Sequence, residues 1–246
     1  ADKLHEVING YLVKEDQVIA KDPKSSAGAN IYIINRLNYQ DMLDKIRLGG
    51  HQELLIEKMI EPVSEINDQW TIGLDGDISH IASSDQLVVN YAHTGNVYPS
   101  QSKQVKKAQH YSLEIGRMMR DAGYVGLFGI DYLEDNKGSL YISENNSRMN
   151  GSTPAWDLVN RLESRHGPVQ AVRLYQIRHG TAMCFEELAN KTRDLIYGGK
   201  SQYGFFPLDQ GLLEQCGAFT ILATGSSEQH AQAIVKETLA RIKYGE

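Results

Sequence analysis

The chain has 246 residues, of which 41% are hydrophobic and 23% are charged, a balance that excludes a collagen, a coiled coil and a wholly disordered protein. The formal net charge of −6 disfavours nucleic acid as a partner, because a negative surface repels phosphate and no basic patch offsets it. Two cysteines cannot form a disulfide framework, so a cytoplasmic, reducing location is expected. The apolar stretches are shorter than a bilayer span, and no membrane association is expected.

The first sixty residues are predicted to form short strands around one helix. Strands are predicted at residues 18–21 and 31–34, separated by a loop of small residues. A helix is predicted over residues 40–48, because two glycines follow it. A further buried strand at residues 54–56 continues to Pro62, which marks a hinge.

The middle of the chain is predicted to form antiparallel hairpins with one long helix. Alternating polarity predicts a hairpin over residues 69–89, and apolar residues at helical spacing predict a helix over 103–121. Strands are predicted at 127–133 and 139–143, joined by residues typical of a turn. The sequence therefore predicts an α+β fold rather than a series of βαβ units.

The remaining residues give a weaker pattern. A helix is predicted from Pro168 through Arg178, followed by a strand at residues 218–223. A final helix is predicted over residues 227–242, with Ser227 in a position to cap its first turn.

A set of oxygen-bearing side chains on the last predicted hairpin carries the most chemical information. Asp131 and Glu144 would lie on neighbouring strands, and Asn146 lies two residues beyond Glu144 on the same side. Two carboxylates and an amide, without sulfur or imidazole, favour Mg²⁺ or Mn²⁺, which commonly completes its coordination with the phosphates of a nucleotide. Arg148 would then lie close enough to contact the same phosphates as a catalytic residue.

Each of these residues also has a simpler interpretation. Two carboxylates at strand ends are usually exposed surface groups, and the addition of Asn146 and Arg148 is what favours a metal site. Lys21 alone would be a solvated lysine, but it ends an apolar strand before a loop of Ser and Gly. Arg148 could equally pair with a surface acid.

The spacing of Asp131, Glu144, Asn146 and Arg148 resembles the metal-binding signature of the ATP-grasp superfamily of carboxylate-amine ligases. The resemblance covers roughly residues 18–156 and implies two α+β lobes that grip ATP between them. Lys21 resembles the lysine that contacts phosphate in that family. The resemblance further implies a phosphate lid that includes Ser26 and Gly28, and an adenine-binding hinge that includes Glu57, Met59 and Ile60.

The resemblance also implies a domain division and a reaction. Residues 1–62 would form a partial N-terminal lobe with an apparently incomplete N-terminal part, residues 63–166 the lobe with the metal site, and residues 167–246 an extension or accessory segment. A carboxylate would be activated by ATP as an acylphosphate and attacked by an amine. The amino-acid sequence of residues 81–86 and 146–154 is similar to that of peptide ligases of the pheganomycin-biosynthesis type.

Two further interpretations stand beside the ligase. The chain could be a non-catalytic or regulatory module that binds Mg²⁺ and ATP, because its lid is poor in glycine. A dinucleotide-dependent oxidoreductase is disfavoured by the absence of a GxGxxG motif after a strand. Small-molecule carboxylates and amines or peptides are the expected substrates, while their identity and the oligomeric state stay open.

Overall fold

The computed structural model describes residues 3–24, 30–199 and 202–242 of the chain. The helices are α1 (Lys3–Leu12), α2 (Tyr39–Leu48), α3 (Val105–Asp121), α4 (Thr153–His166), α5 (Phe185–Lys191), α6 (Leu213–Cys216) and α7 (Glu228–Arg241). The strands are β1 (Gln17–Lys21), β2 (Ile31–Asn35), β3 (Leu55–Lys58), β4 (Ser64–Ile72), β5 (Ile78–Val89), β6 (Ala92–Tyr98), β7 (Gly126–Glu134), β8 (Leu140–Asn146), β9 (Ala171–Ile177), β10 (Gly204–Leu212) and β11 (Ala218–Gly225). None of the helices in these ranges is long and apolar enough to cross a membrane.

The chain divides into two compact units. One contains residues 1–61 together with 90–93, and the other contains residues 62–89 together with 94–246. The division into 1–62, 63–166 and 167–246 stays a prediction.

The first unit is a three-stranded antiparallel sheet covered by two helices. The strand order is β2-β1-β3, and Lys21 at the end of β1 lies opposite Ile31 of β2 and Leu55 of β3. The apolar faces of α1 and α2 close the core of this unit because their buried residues line up at helical spacing. The buried core consists of Ile8, Leu12, Val18, Ala20, Ile34, Leu43 and Ile46.

The second unit is built on an eight-stranded sheet in the order β10-β11-β9-β6-β5-β4-β7-β8. Strand β4 pairs antiparallel with both β5 and β7, and β7 pairs antiparallel with β8. Side chains alternate along β4, so Ile66 and Trp70 pack into a core with α3. The intervening Asn67 and Gln69 are buried and point to the opposite face, towards the start of α4. This polar face is the one on which the candidate site lies.

The pairing of strands β6 and β9 depends on a glycine. Gly95 lies opposite Tyr175, and a Cβ at this position would lie 2.1 Å from the carbonyl oxygen of Leu174. Only a residue without a side chain allows the two strands to approach this closely.

Most of the predicted elements are confirmed, and one is wrong. Strands β1 and β2, helices α2, α3 and α7, and the hairpins β4–β5 and β7–β8 form where the sequence predicts them. Ser227 caps α7, because its hydroxyl accepts from the backbone N–H of His230. The helix predicted from Pro168 through Arg178 is instead the strand β9. Both faces of β9 are covered, Val172 by α4 and Ile177 by α7, so its sequence lacks the simple alternation of an exposed strand.

Candidate active site

The β7–β8 hairpin brings together the three residues predicted to bind a metal. Asp131 lies directly opposite Glu144, and Gly129 lies opposite Asn146. The side-chain amide of Asn146 donates to Oδ2 of Asp131 at 3.2 Å. Glu144 is exposed, Asp131 is partly buried and Asn146 is buried. Asn146 therefore lies at the buried end of this set of residues, and the carboxylate of Glu144 lies at its solvent-accessible rim.

Local sequence explains why the hairpin has this register. The turn between the strands is closed by Asp135, whose Oδ1 accepts from the backbone N–H groups of Lys137 and Ser139 at 2.9 and 2.8 Å. The pairing then shifts between Asp131 and Tyr132, which leaves an extra residue on β8, as in a β-bulge. Beyond this shift Glu144 is opposite Asp131.

The electrostatics of Asp131 suit the binding of a cation. The pKa of Asp131 is raised to about 6 as the net result of opposing causes. Burial is the largest cause and raises it, as does the negative charge of Glu144, while hydrogen bonds from Asn67 and Gln86 and the positive charge of Arg148 lower it. Burial and the charge of Asp131 also raise the pKa of Glu65, on the adjacent strand. Burial is the largest cause in both groups, so a nearby cation would offset the free-energy cost of ionising them.

The donor set fits a hard divalent cation. Asp131 and Glu144 supply carboxylate oxygens and Asn146 an amide oxygen, which are ligands that Mg²⁺ and Mn²⁺ prefer. Within residues 3–24, 30–199 and 202–242, no three side chains of the types His, Cys, Asp and Glu form a group able to hold a metal ion. The side chains of this part of the chain therefore do not complete the coordination of a cation by themselves. A cation bound at Asp131, Glu144 and Asn146 would take further ligands from water or from a phosphate.

Arg148 lies beside this set on the turn after β8. Its backbone N–H donates to the carbonyl of Asn146 at 2.8 Å, and its Nη1 donates to the carbonyl of Met149 at 3.0 Å. The guanidinium is close enough to lower the pKa of Asp131, and the residue is exposed. Arg148 is thus accessible to an anion.

The residues predicted to bind nucleotide lie in the first unit where the structure describes them. Nζ of Lys21, the residue predicted to bind phosphate, lies 2.7 Å from Oε2 of Glu57, which belongs to the predicted adenine hinge. The two side chains form an ion pair between β1 and β3. Met59 and Ile60 follow β3, and the backbone N–H of Met59 donates to the carbonyl of Gln17 at 3.4 Å. The predicted lid residues Ser26 and Gly28 lie outside the described residues.

The sequence interpretation misses the polar side chains beneath Asp131. Asn67 donates from Nδ2 to Oδ1 of Asp131 at 2.6 Å, and Gln69 donates from Nε2 to Oδ1 of Asn67 at 2.7 Å. A signal is present in the sequence, because Asn67, Asp68 and Gln69 interrupt a strand whose neighbours are apolar. Three consecutive polar residues in a buried strand indicate hydrogen-bonded groups with a specific role.

No protein-family model matches the chain. A stretch of 128 residues, 51% of this chain, is 22% identical to the 2-oxoglutarate carboxylase small subunit of Hydrogenobacter thermophilus and spans 27% of that protein. The chain thus covers about a quarter of the length of this curated relative.

Solved structures are similar over nearly the whole chain. The ADP complex of an N5-carboxyaminoimidazole ribonucleotide synthetase superposes on 96% of this chain with a TM-score of 0.70 and 14% identity, covering 63% of its own chain. The biotin carboxylase domain of the Hydrogenobacter thermophilus 2-oxoglutarate carboxylase, solved with MgADP, ADP and bicarbonate, superposes on 99% with a TM-score of 0.67 and 14% identity, covering 60% of its own chain. The sequence expectation of the ATP-grasp fold is thereby confirmed: the chain is a mixed α+β protein with the fold of these ATP-grasp enzymes.

Proposed function

We propose that the chain belongs to an ATP-dependent ligase that activates a carboxylate for attack by an amine. The observation that carries this proposal is the cluster of Asp131, Glu144 and Asn146 on paired strands, with Arg148 beside it, in the fold of ATP-grasp enzymes. The solved relatives support a nucleotide substrate, because one contains ADP and another contains MgADP with bicarbonate.

The cation would be held by Asp131, Glu144 and Asn146. When bound, Mg²⁺ or Mn²⁺ would neutralise phosphate charge in the transition state of phosphoryl transfer. Arg148 contributes a second positive charge near the same oxygens. In the first unit, Lys21 is proposed to bind phosphate, and Glu57 with the backbone of Met59 and Ile60 to bind adenine.

The proposed reaction has two steps. An oxygen of the substrate carboxylate attacks the γ-phosphorus of ATP, the bond to the β-phosphate oxygen breaks, and ADP leaves. The nitrogen of the amine then attacks the carbonyl carbon of the acylphosphate, inorganic phosphate leaves, and the amine loses a proton. Bicarbonate is one candidate carboxylate, since a relative was solved with it. A peptide or amino acid is another, and peptide ligation is the narrower form of the proposal.

The test is a comparison of nucleotide binding with product release. Binding of ATP is measured by calorimetry with Mg²⁺, with Mn²⁺ and with EDTA. Release of ADP is measured with three panels of candidate carboxylate substrates, namely bicarbonate, amino acids and short peptides. We expect cation-dependent ATP binding and ADP release that requires one of these carboxylates. Binding without release under any panel would instead identify a nucleotide-binding module. Absence of cation-dependent binding would contradict the proposed site itself.

A further inference from the structure

A chain of buried amide groups connects the start of α4 to the carboxylate of Asp131. The hydroxyl of Thr153, the first residue of α4, lies 2.8 Å from Oε1 of Gln69. Gln69 donates to Asn67, and Asn67 donates to Asp131 at 2.6 Å. Thr153, Gln69 and Asn67 are at most 8% exposed, so these groups bond to one another rather than to solvent. We name the group Thr153, Gln69 and Asn67 the amide relay.

The direction of the amide relay follows from the charge of its last acceptor. An ionised carboxylate only accepts hydrogen bonds, so Asn67 must present its NH₂ group to Asp131. The amide oxygen of Asn67 then points away and needs a donor, which is Nε2 of Gln69. The oxygen of Gln69 in turn needs a donor, and the hydroxyl of Thr153 supplies it. The orientation of each amide is therefore determined by the next.

The neighbours of the amide relay hold Gln69 in place. Nε2 of Gln69 also lies 2.7 Å from Oγ of Ser152 and 2.9 Å from Oδ1 of Asn150. The backbone of Gly129 lies alongside, and a Cβ there would be 2.9 Å from Nδ2 of Asn150. The absence of a side chain at residue 129 thus leaves room for the amide of Asn150 next to Gln69.

We propose that the amide relay positions Asp131 for binding a divalent cation, so that Gln69 and Thr153 control cation affinity without touching the cation. This inference rests on the proposed function and adds positioning residues to it. Asn67 donates to Oδ1 of Asp131 and fixes the plane of the carboxylate, while Oδ2 accepts from the side-chain amide of Asn146. Partners that orient a metal ligand in this way commonly change metal affinity about 10- to 100-fold when they are removed.

The decisive variant is Gln69→Glu, which keeps the size of the side chain. The introduced carboxylate still accepts from Thr153 but no longer donates to Asn67. Asn67 would then turn its NH₂ group towards this carboxylate and its oxygen towards Asp131, where two acceptors repel each other. We expect the concentration of Mn²⁺ needed for half-saturation to rise about tenfold or more, measured by electron paramagnetic resonance of the free ion with ADP present.

A second variant keeps the proposal testable if Gln69→Glu does not fold. Thr153→Val removes the hydroxyl that holds the oxygen of Gln69 and should weaken Mn²⁺ binding severalfold, whereas Thr153→Ser keeps the hydroxyl and should restore it. Thr238→Val is the matched control, because Thr238 is fully buried in α7 and its hydroxyl donates to the carbonyl of Ile234 of the same helix at 2.8 Å. It should lower stability without changing Mn²⁺ binding.

The outcomes separate the two proposals. If wild type binds Mn²⁺ and Glu144→Gln does not, while Gln69→Glu and Thr153→Val bind as wild type does, the positioning role is refuted and the metal site stands. If Thr238→Val weakens binding as much as Thr153→Val does, the effect is general destabilisation and the positioning role is likewise refuted. If wild type binds no Mn²⁺ in the presence of ADP, the proposed function fails and the amide relay loses its role with it.

Discussion

Glu144 is the residue on which the proposed chemistry can be tested with least disturbance of the fold. Its side chain is exposed at the rim of the site, opposite Asp131. We expect Glu144→Gln to lower cation-dependent turnover on the order of 100-fold, because a neutral amide replaces a charged ligand. Steady-state ADP release at varied Mg²⁺ concentration measures this. Glu186→Gln, which changes an exposed carboxylate of α5, is the control and should leave turnover unchanged. Unimpaired turnover in Glu144→Gln would remove this residue from the site.

Asp68 lies on the other face of β4 and has a structural role. It is fully buried, and its carboxylate accepts from Nε1 of Trp70 and Oγ of Ser83, both at 2.6 Å, and lies 3.1 Å from Nε2 of His80. We expect Asp68→Ala to lower the free energy of unfolding by about 3–5 kcal/mol, because buried donors lose their acceptor. Urea denaturation measures this. Asp157→Ala, which breaks an exposed ion pair of α4, should cost less than about 1 kcal/mol. A loss of that smaller size for Asp68→Ala would show that its donors find other acceptors.

The sequence predicts contacts between residues that are close along the chain and misses those that are distant. Asp131 and Glu144 belong to one hairpin, so the turn between them brings their strands together, and a β-bulge then places Glu144 opposite Asp131. Asn67 is 64 residues from Asp131, and its hydrogen bond depends on β4 pairing with β7 rather than with another strand. Nothing in the local pattern of either strand specifies that partner.

At the scale of elements, the sheet depends on the close approach of β6 and β9. We expect Gly95→Ala to destabilise the protein by about 3 kcal/mol, the upper end for an overpacked site, because a methyl group 2.1 Å from a backbone oxygen forces the strands apart. Equilibrium denaturation monitored by circular dichroism would measure this. Gly211→Ala in β10 is the control, since among the described residues, its two chain neighbours aside, no atom lies within 4 Å of the added Cβ. If both variants unfold at the same urea concentration as wild type, the β6–β9 pairing is more adaptable than its geometry indicates.

Helix α3, which has one exposed face, could be predicted from its periodicity, whereas strand β9, which is covered on both faces, could not. The apolar residues of α3 recur at helical spacing because the opposite side of the helix is solvated. Strand β9 is covered by α4 and α7, so apolar residues occur on both its faces and its sequence wrongly predicts a helix. Hydrophobic periodicity in a sequence arises when one face of an element is exposed to solvent, and β9 has no such face.

For the whole molecule, stability should depend on pH through Asp131. Folding raises the pKa of this carboxyl from 3.8 to about 6, so the folded state binds the proton more tightly than the unfolded state does. The free energy of unfolding therefore falls as pH rises from 3.8 to about 6. At 1.36 kcal/mol per pKa unit the cost approaches about 3 kcal/mol above pH 6. A bound cation offsets this cost, so Mg²⁺ should raise the melting temperature more at pH 8 than at pH 5.

Scanning calorimetry of wild type and Asp131→Asn at several pH values between 4 and 8 would check this dependence. The variant has no carboxyl to titrate at residue 131, so the difference in stability between the two proteins should shrink as pH falls from 6 towards 4. A difference that is constant across this range would show that Asp131 titrates normally in the folded protein.

The α+β class of the whole chain is predicted from the hairpins and the long helix of its middle part. The ATP-grasp fold is predicted from the resemblance of Asp131, Glu144, Asn146 and Arg148 to one signature, and similar solved structures confirm that fold. The substrates could not be predicted in this way, since they depend on residues brought together from distant parts of the chain. The chain also spans 60–63% of the length of two solved relatives.

The position of β8 in the sheet has one more consequence. In the part of the chain that the structure describes, β8 is the last strand in the order and pairs only with β7, yet it carries both Glu144 and Asn146. Fraying of this outer strand would therefore remove two of three candidate ligands in a single opening event. Amide protons of β8 should exchange with deuterium quickly in the free protein and more slowly once a cation joins the strand to its neighbour. The lifetime of the bound ion would then be limited by how often the border of the sheet opens.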